Sequence, residues 1–164
     1  MMKKAIMMIV SVLLLAACAT LTPEQRAARE AELKAAVGEQ QYRININSMT
    51  PMRGVTHTVF DFWLKVDGNT VTCTLPYVGR DDIPHPKTPA EFHMDSKLDF
   101  EAEIQNYVLA LQPEKQRAII SFSTIDAATK YDFKIILDNT GRARVHVDPE
   151  DRDFIDYEGY IAKL

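Results

Sequence analysis

The chain has 164 residues, enough for one domain and hardly for two. Apolar residues make up 46% and charged residues 26%, a globular balance that excludes a mostly disordered chain. The net charge of −4 sets it against nucleic acid and anionic headgroups as general partners.

Lys3 and Lys4 precede an apolar run from Ala5 to Leu15, broken only by Ser11. The run is too short to span hydrocarbon, which takes roughly 20 apolar residues. It has the length of a secretory h-region. It ends in Leu15-Ala16-Ala17-Cys18, which is similar to the lipobox of bacterial lipoprotein signals. The similarity implies cleavage before Cys18 and a diacylglycerol on its thiol. Small residues at Ala16 and Ala17 let a peptidase close on the backbone, and a thiolate is a good nucleophile for taking up lipid. Two or three acyl chains hold stably where one is marginal. The alternative is a plain signal peptide with an incidental cysteine; basic start, h-region length and box together favour the lipobox. Residues 1–17 are then signal peptide and 18–40 anchor and spacer. Losing Lys3 and Lys4 lowers the basic count from 19 to 17 against 23 acidic residues, a net −6. The lipid, not charge, then holds the chain to the membrane.

Thr22 to Gly38 reads as a helix. Thr22 caps it, Pro23 suits the first turn, Gln25 completes a capping box and Gly38 stops it. Glu30 and Lys34 pair at i,i+4 in the favourable order. The apolar face is thin, mostly alanine with Leu33 and Val37, as in a spacer that leans on the domain at those two residues.

After Gly38 the period changes from 3.6 to 2. Tyr42, Ile44 and Ile46 alternate with Arg43, Asn45 and Asn47. Phe60, Phe62, Leu64 and Val66 share one face, with Trp63, Val59 and Lys65 opposite. That places Val59 and Trp63 on the outside, in need of a cover: the spacer helix or a partner protein. Asp67-Gly68-Asn69 signals a hairpin into Val71, Cys73 and Leu75. Cys73, in this alternation and without another cysteine to pair with after processing, reads as a small buried hydrophobe. Phe100, Ile104, Tyr107, Val108 and Leu111 also fit a helical face, but strand patterns on both sides favour strands at 98–102 and 105–112. A strand at 117–125 follows. Tyr131, Phe133, Ile135 and Leu137 form another. The Asp138-Asn139-Thr140-Gly141 turn leads to Ala143, Val145 and Val147, and Ile155, Tyr157 and Ile161 line the last strand. Eight or nine hairpin-linked strands with one apolar face must stack or curl. Local connections favour curling. The expected fold over 41–164 is all-β, an antiparallel meander curled into a lipocalin-like barrel or half-barrel, preceded by one N-terminal helix. Bulky inward residues argue for a filled interior.

The block Leu75, Pro76, Tyr77, Gly79, Arg80, and the later Arg152, Ile155, Tyr157, Gly159, resemble two motifs of the bacterial domain-of-unknown-function family 4251. The resemblance covers about residues 24 to 162. It implies secreted or lipid-anchored envelope proteins of Gram-negative bacteria with a lipocalin-like barrel, and it supplies no catalytic residues. The chain departs from the pattern after Arg80, at Asp81-Asp82 and Pro84-His85.

Pro76 ends ladder pairing, Tyr77 closes a barrel end with a wet hydroxyl, Gly79 permits a bend, and Arg80 is placed to reach Asp156 or Glu158. Trp63, Tyr77, Arg80, Arg152 and Tyr157 are the candidate binding residues, and Cys18 the lipid-attachment site. Asp81, Asp82, His85, Glu91, His93 and Asp95 are metal-ligand types without a recognised spacing. Ser121 and Ser123 sit in ordinary strand alternation, and no G-x-S-x-G or phosphate loop occurs. No catalytic residue, metal or cofactor is therefore assigned. The expected function is a non-enzymatic outer-membrane lipoprotein facing the periplasm, since Ala19-Thr20-Leu21-Thr22 is no acidic export tract. It would bind an envelope protein or component. The alternatives are a carrier of a small apolar ligand in a partly open barrel and a metal-dependent enzyme using the 81–95 loop.

Overall fold

The structure is a computed structural model describing residues 22–79 and 97–164. It opens on helix α1 (Pro23–Gly38). The capping box forms as its residues dictate: the Gln25 N–H donates to Thr22 Oγ1 at 3.2 Å, and the Thr22 N–H to Gln25 Oε1 at 3.0 Å. Glu30 and Lys34 meet at 2.7 Å. Weak as its apolar face is, α1 docks on the barrel through its last turns, where Ala36 and Val37 are buried and Leu33 is half-buried.

Nine antiparallel strands follow among the described residues. They are β1 (Gln41–Pro51), β2 (His57–Asp67), β3 (Thr70–Pro76), β4 (Lys97–Glu103), β5 (Gln105–Gln112), β6 (Arg117–Asp126), β7 (Thr129–Asp138), β8 (Arg142–Pro149) and β9 (Ile155–Lys163). They form one sheet in the order β4-β3-β2-β1-β9-β8-β7-β6-β5. Each strand pairs with its chain neighbour, except that β1 pairs with β9 and β4 does not pair with β5. The sheet curls into a nearly closed barrel, as the alternation and short connections predict. The 98–102 and 105–112 segments are strands, and the helical option for them is discarded.

The inward rows make the core. Tyr131, Phe133, Ile135 and Leu137 of β7 face Ala143, Val145 and Val147 of β8, all buried. Phe122 stacks on Phe133 with centroids 4.8 Å apart, and Phe100 reaches Tyr131 across the barrel at 4.8 Å. Such aromatic pairs add roughly 0.5–1.5 kcal/mol beyond their buried area.

One expected row is wrong at its start. Phe60 is not inward: it is 75% exposed, and Val59 is buried instead. Asp61 takes a left-handed backbone (φ 64°), and the β1–β2 register slips between Ile46 and Ser48. An irregularity of this kind exchanges the two faces of the strand beyond it. β1 changes parity at the same place, burying Ile46 and then Met49.

The slip also brings β1 against Gly159 of β9. A Cβ on Gly159 would overlap the Asn45 carbonyl oxygen and sit 2.9 Å from its carbon. Gly159→Ala is therefore expected to cost about 1–3 kcal/mol, the usual toll of overpacking, seen as a fall in Tm. Gly38→Ala, in the helix with nothing within 4 Å, is the control and should hold or raise Tm. Equal Tm values for the two variants would show that β1 yields freely.

Candidate functional site

The two motif blocks meet at one end of the barrel. Tyr77 follows directly on β3, where Pro76 ends the strand, and Tyr157 lies on β9. The Tyr157 hydroxyl donates to the Pro76 carbonyl at 2.8 Å, and the Tyr77 hydroxyl to the Asp153 carbonyl at 2.9 Å. Both rings are buried. Burial pushes the Tyr157 phenol well above its ordinary pKa. A Cβ on Gly79 would overlap the Tyr77 phenol, so that residue is small because the ring lies against it.

Arg152 lies over Tyr77, its guanidinium carbon 5.5 Å from the ring centroid. Its Nε and one terminal nitrogen each reach Asp151 at 2.9 Å. The Asp151 carboxyl is held below its ordinary pKa, chiefly by those bonds. Tyr77, Arg152 and Tyr157 are thus brought together at this barrel end, and among the described residues both tyrosine rings are buried there.

The other sequence-derived candidates lie apart or outside. Trp63 stands on the outer wall of β2, and its cover is Arg43, whose guanidinium carbon sits 4.7 Å from the ring centroid. The Arg43 Nε is buried without a hydrogen-bond acceptor among the described residues, and the ring face is the neighbour its guanidinium has there. The carboxylates expected to meet Arg80 have other partners: His146 Nδ1 lies 2.9 Å from Asp156, and Arg142 and Arg144 bind Glu158 at 2.7 and 3.0 Å. Arg80, Cys18 and the 81–95 loop with its Asp, Glu and His residues lie outside the described residues.

Cys73 is buried on β3, and its thiol donates to the Leu98 carbonyl at 3.6 Å. Burial pushes the thiol pKa up to about 12, so it stays a thiol and is inert as a nucleophile.

The opposite barrel end is closed by α1. The Tyr107 hydroxyl donates to the Val37 carbonyl at 2.9 Å. With its proton used there, it accepts from Tyr42, whose hydroxyl lies 3.5 Å away. The helix end and a two-tyrosine chain therefore seal this end.

Beside that seal a cleft of about 240 Å³ opens between α1, the β5–β6 turn and the β7–β8 turn. Its apolar lining is Leu33, Val37, Leu111, Pro113, Ala118 and Leu137. Polar side chains at its border engage one another: Lys34 with Glu30, Arg117 with Gln112 at 2.7 Å, and Asn139 with Gln116 at 2.8 Å. The sequence flagged only Leu33 and Val37 here. The remaining walls come from turns about 80 to 100 residues further on, and nothing local marks them as neighbours of a helix.

Residues 24–161 match the model of a family described as a domain of unknown function, DUF4251. The chain belongs to the DUF4251 family. A crystal structure of a DUF4251 family protein from Bacteroides eggerthii DSM 20697 is similar, with a TM-score of 0.65 at 16% identity. The alignment covers 85% of this chain and 92% of that one, and at this identity the likeness is one of fold. No curated protein matches the sequence.

In this DUF4251 member the hydroxyls of both motif tyrosines are bonded to backbone carbonyls. Tyr157→Phe leaves the buried Pro76 carbonyl unsatisfied and is expected to cost about 1–3 kcal/mol. Tyr160→Phe, at a residue 52% exposed, should stay within about 0.5 kcal/mol of wild type. Chemical denaturation of both variants checks this; indistinguishable midpoints would contradict it.

Proposed function

We propose that the chain is a non-enzymatic envelope lipoprotein, anchored through Cys18 to the outer membrane and facing the periplasm. It acts by surface recognition of an envelope protein or component. The observation that carries this reading is the filled barrel. Tyr77 and Tyr157 plug one end, Val37, Tyr42 and Tyr107 seal the other, and stacked aromatic rings occupy the space between. A barrel of this width holds either its own side chains or one small ligand. Here the side chains are in place, so recognition falls to the outer surface.

The anchor reading rests on the Leu15-Ala16-Ala17-Cys18 box and on the capped helix that follows four residues later. A carrier of a small apolar ligand is the second reading. What favours it is the apolar cleft beside α1, outside the barrel wall rather than within it.

The test of the anchor is metabolic labelling with an alkyne fatty acid, followed by membrane fractionation. The wild-type chain is expected to take up label and sediment with outer membrane. Cys18→Ala is expected to lose the label and that association. Equal labelling of the two would overturn the proposal.

A further inference from the structure

The β5–β6 and β7–β8 turns carry two adjoining features. The first is the apolar cleft against α1. The second is a groove of about 290 Å³ on the outer wall beside it, bordered by Lys115, Arg117, Arg142 and Arg144 around Ile136. Arg117 and Asp138 border both. Four cations in one groove run against the chain's net charge of −4.

Only Asp138 and Glu158 oppose them in the groove's lining, and both are engaged. Asp138 Oδ1 accepts from the Thr140 and Arg142 backbone N–H groups at 2.8 and 3.1 Å. Glu158 takes one nitrogen from each of Arg142 and Arg144. A guanidinium carries five N–H donors, so each arginine keeps others for an incoming anion. Both side chains are more than half exposed.

We infer that cleft and groove form one site for a single-chain anionic amphiphile. Its hydrocarbon tail lies in the cleft, and its carboxylate or phosphate head meets the cations at Arg117. This deepens the binding-module reading by naming a ligand class and rests on that reading only to this extent.

Three observations point to this occupant. The cleft, about 240 Å³ with an apolar lining, has room for an acyl segment. Its polar border groups are engaged with one another, so a tail finds nothing to leave unsatisfied. A peptide would bring backbone N–H and C=O groups that need partners. The head faces arginines, whose forked donors match carboxylate and phosphate.

The test uses the full chain with methyl-labelled leucine and valine, followed by NMR and calorimetry. The probes are decanoate, decyl phosphate, decanol and inorganic phosphate. Saturable binding of at least one anionic amphiphile is expected, with shifts at Leu33, Val37, Leu111 and Leu137. Decanol should bind about tenfold or more weakly, as should the anion after Lys115→Gln or Arg117→Gln. Leu111→Asn, at a half-exposed site, should weaken the tail without unfolding the chain. Inorganic phosphate should leave the cleft methyls unmoved. Equal affinity for decanol, shifts centred on the interior methyls of Leu75, Leu98 and Val147, or no saturable binding would each overturn the proposal. So would cleft shifts that follow dilution without probe, which would give the face to a second copy. None of these readouts depends on Cys18, so this proposal and the anchor fail separately.

Discussion

A sheet has two edges, each a row of unpaired N–H and C=O groups that must be hidden or guarded. The edges here are β4 and β5, which are two halves of one extended segment from 97 to 112 with Ile104 between them. The first half pairs with β3 and the second with β6. One length of chain thus crosses the seam and gives each edge a covalent continuation. Where the halves part, the Ile104 N–H donates to the Asn69 carbonyl at 2.8 Å, and the Thr124 hydroxyl to the Glu103 carbonyl at 2.8 Å. Thr124 is the one fully buried polar side chain among the described residues, and it serves the seam.

With the seam closed, the inward faces of the strands must fill a common space. They do so with aliphatic side chains around a set of rings, and rings with hydroxyls are placed where the tip can reach a backbone carbonyl. Tyr77 and Tyr157 do this at one end and Tyr107 at the other, with the Tyr42 hydroxyl donating to that of Tyr107. The arrangement satisfies the polar tips without admitting solvent. Helix α1 then has two duties: it seals an end through Val37, and with Leu33 it makes one wall of the apolar cleft.

Much of this was legible in the residues. The capping box, the alternation of β6 to β9 and the turn at Asp138 to Gly141 follow from local chemistry that tertiary packing does not override. What was not legible turns on single-residue irregularities. A period of 2 says nothing about an inserted residue, so Asp61 inverted the faces of Val59 and Phe60 unseen. Asn106, also left-handed (φ 56°), changes parity between Ile104 and Tyr107. That change is why Phe100, Ile104, Tyr107 and Leu111 mimic a helical face. Tyr77 and Tyr157 were flagged as a candidate binding group, and their hydroxyl partners are backbone atoms 76 and 81 residues away in sequence. The cleft was invisible for the same reason, because helix docking on distant turns leaves no local pattern.

The nearly closed barrel packs its own side chains inside, and its inward tyrosines report on that directly. Burial pushes the Tyr42 and Tyr157 phenols well above their ordinary value of 10.0. The unfolded chain releases those protons near pH 10 while the folded chain keeps them, so this contribution to stability is full below pH 10 and falls as pH rises above it. Spectrophotometric titration of phenolate, with circular dichroism followed in parallel, measures this. Tyr42 and Tyr157 are expected to stay protonated above the ordinary phenol range for as long as the fold persists, and to ionise only on alkaline unfolding. Ionisation of all six tyrosines in one step near pH 10, with the strand signal intact, would contradict it.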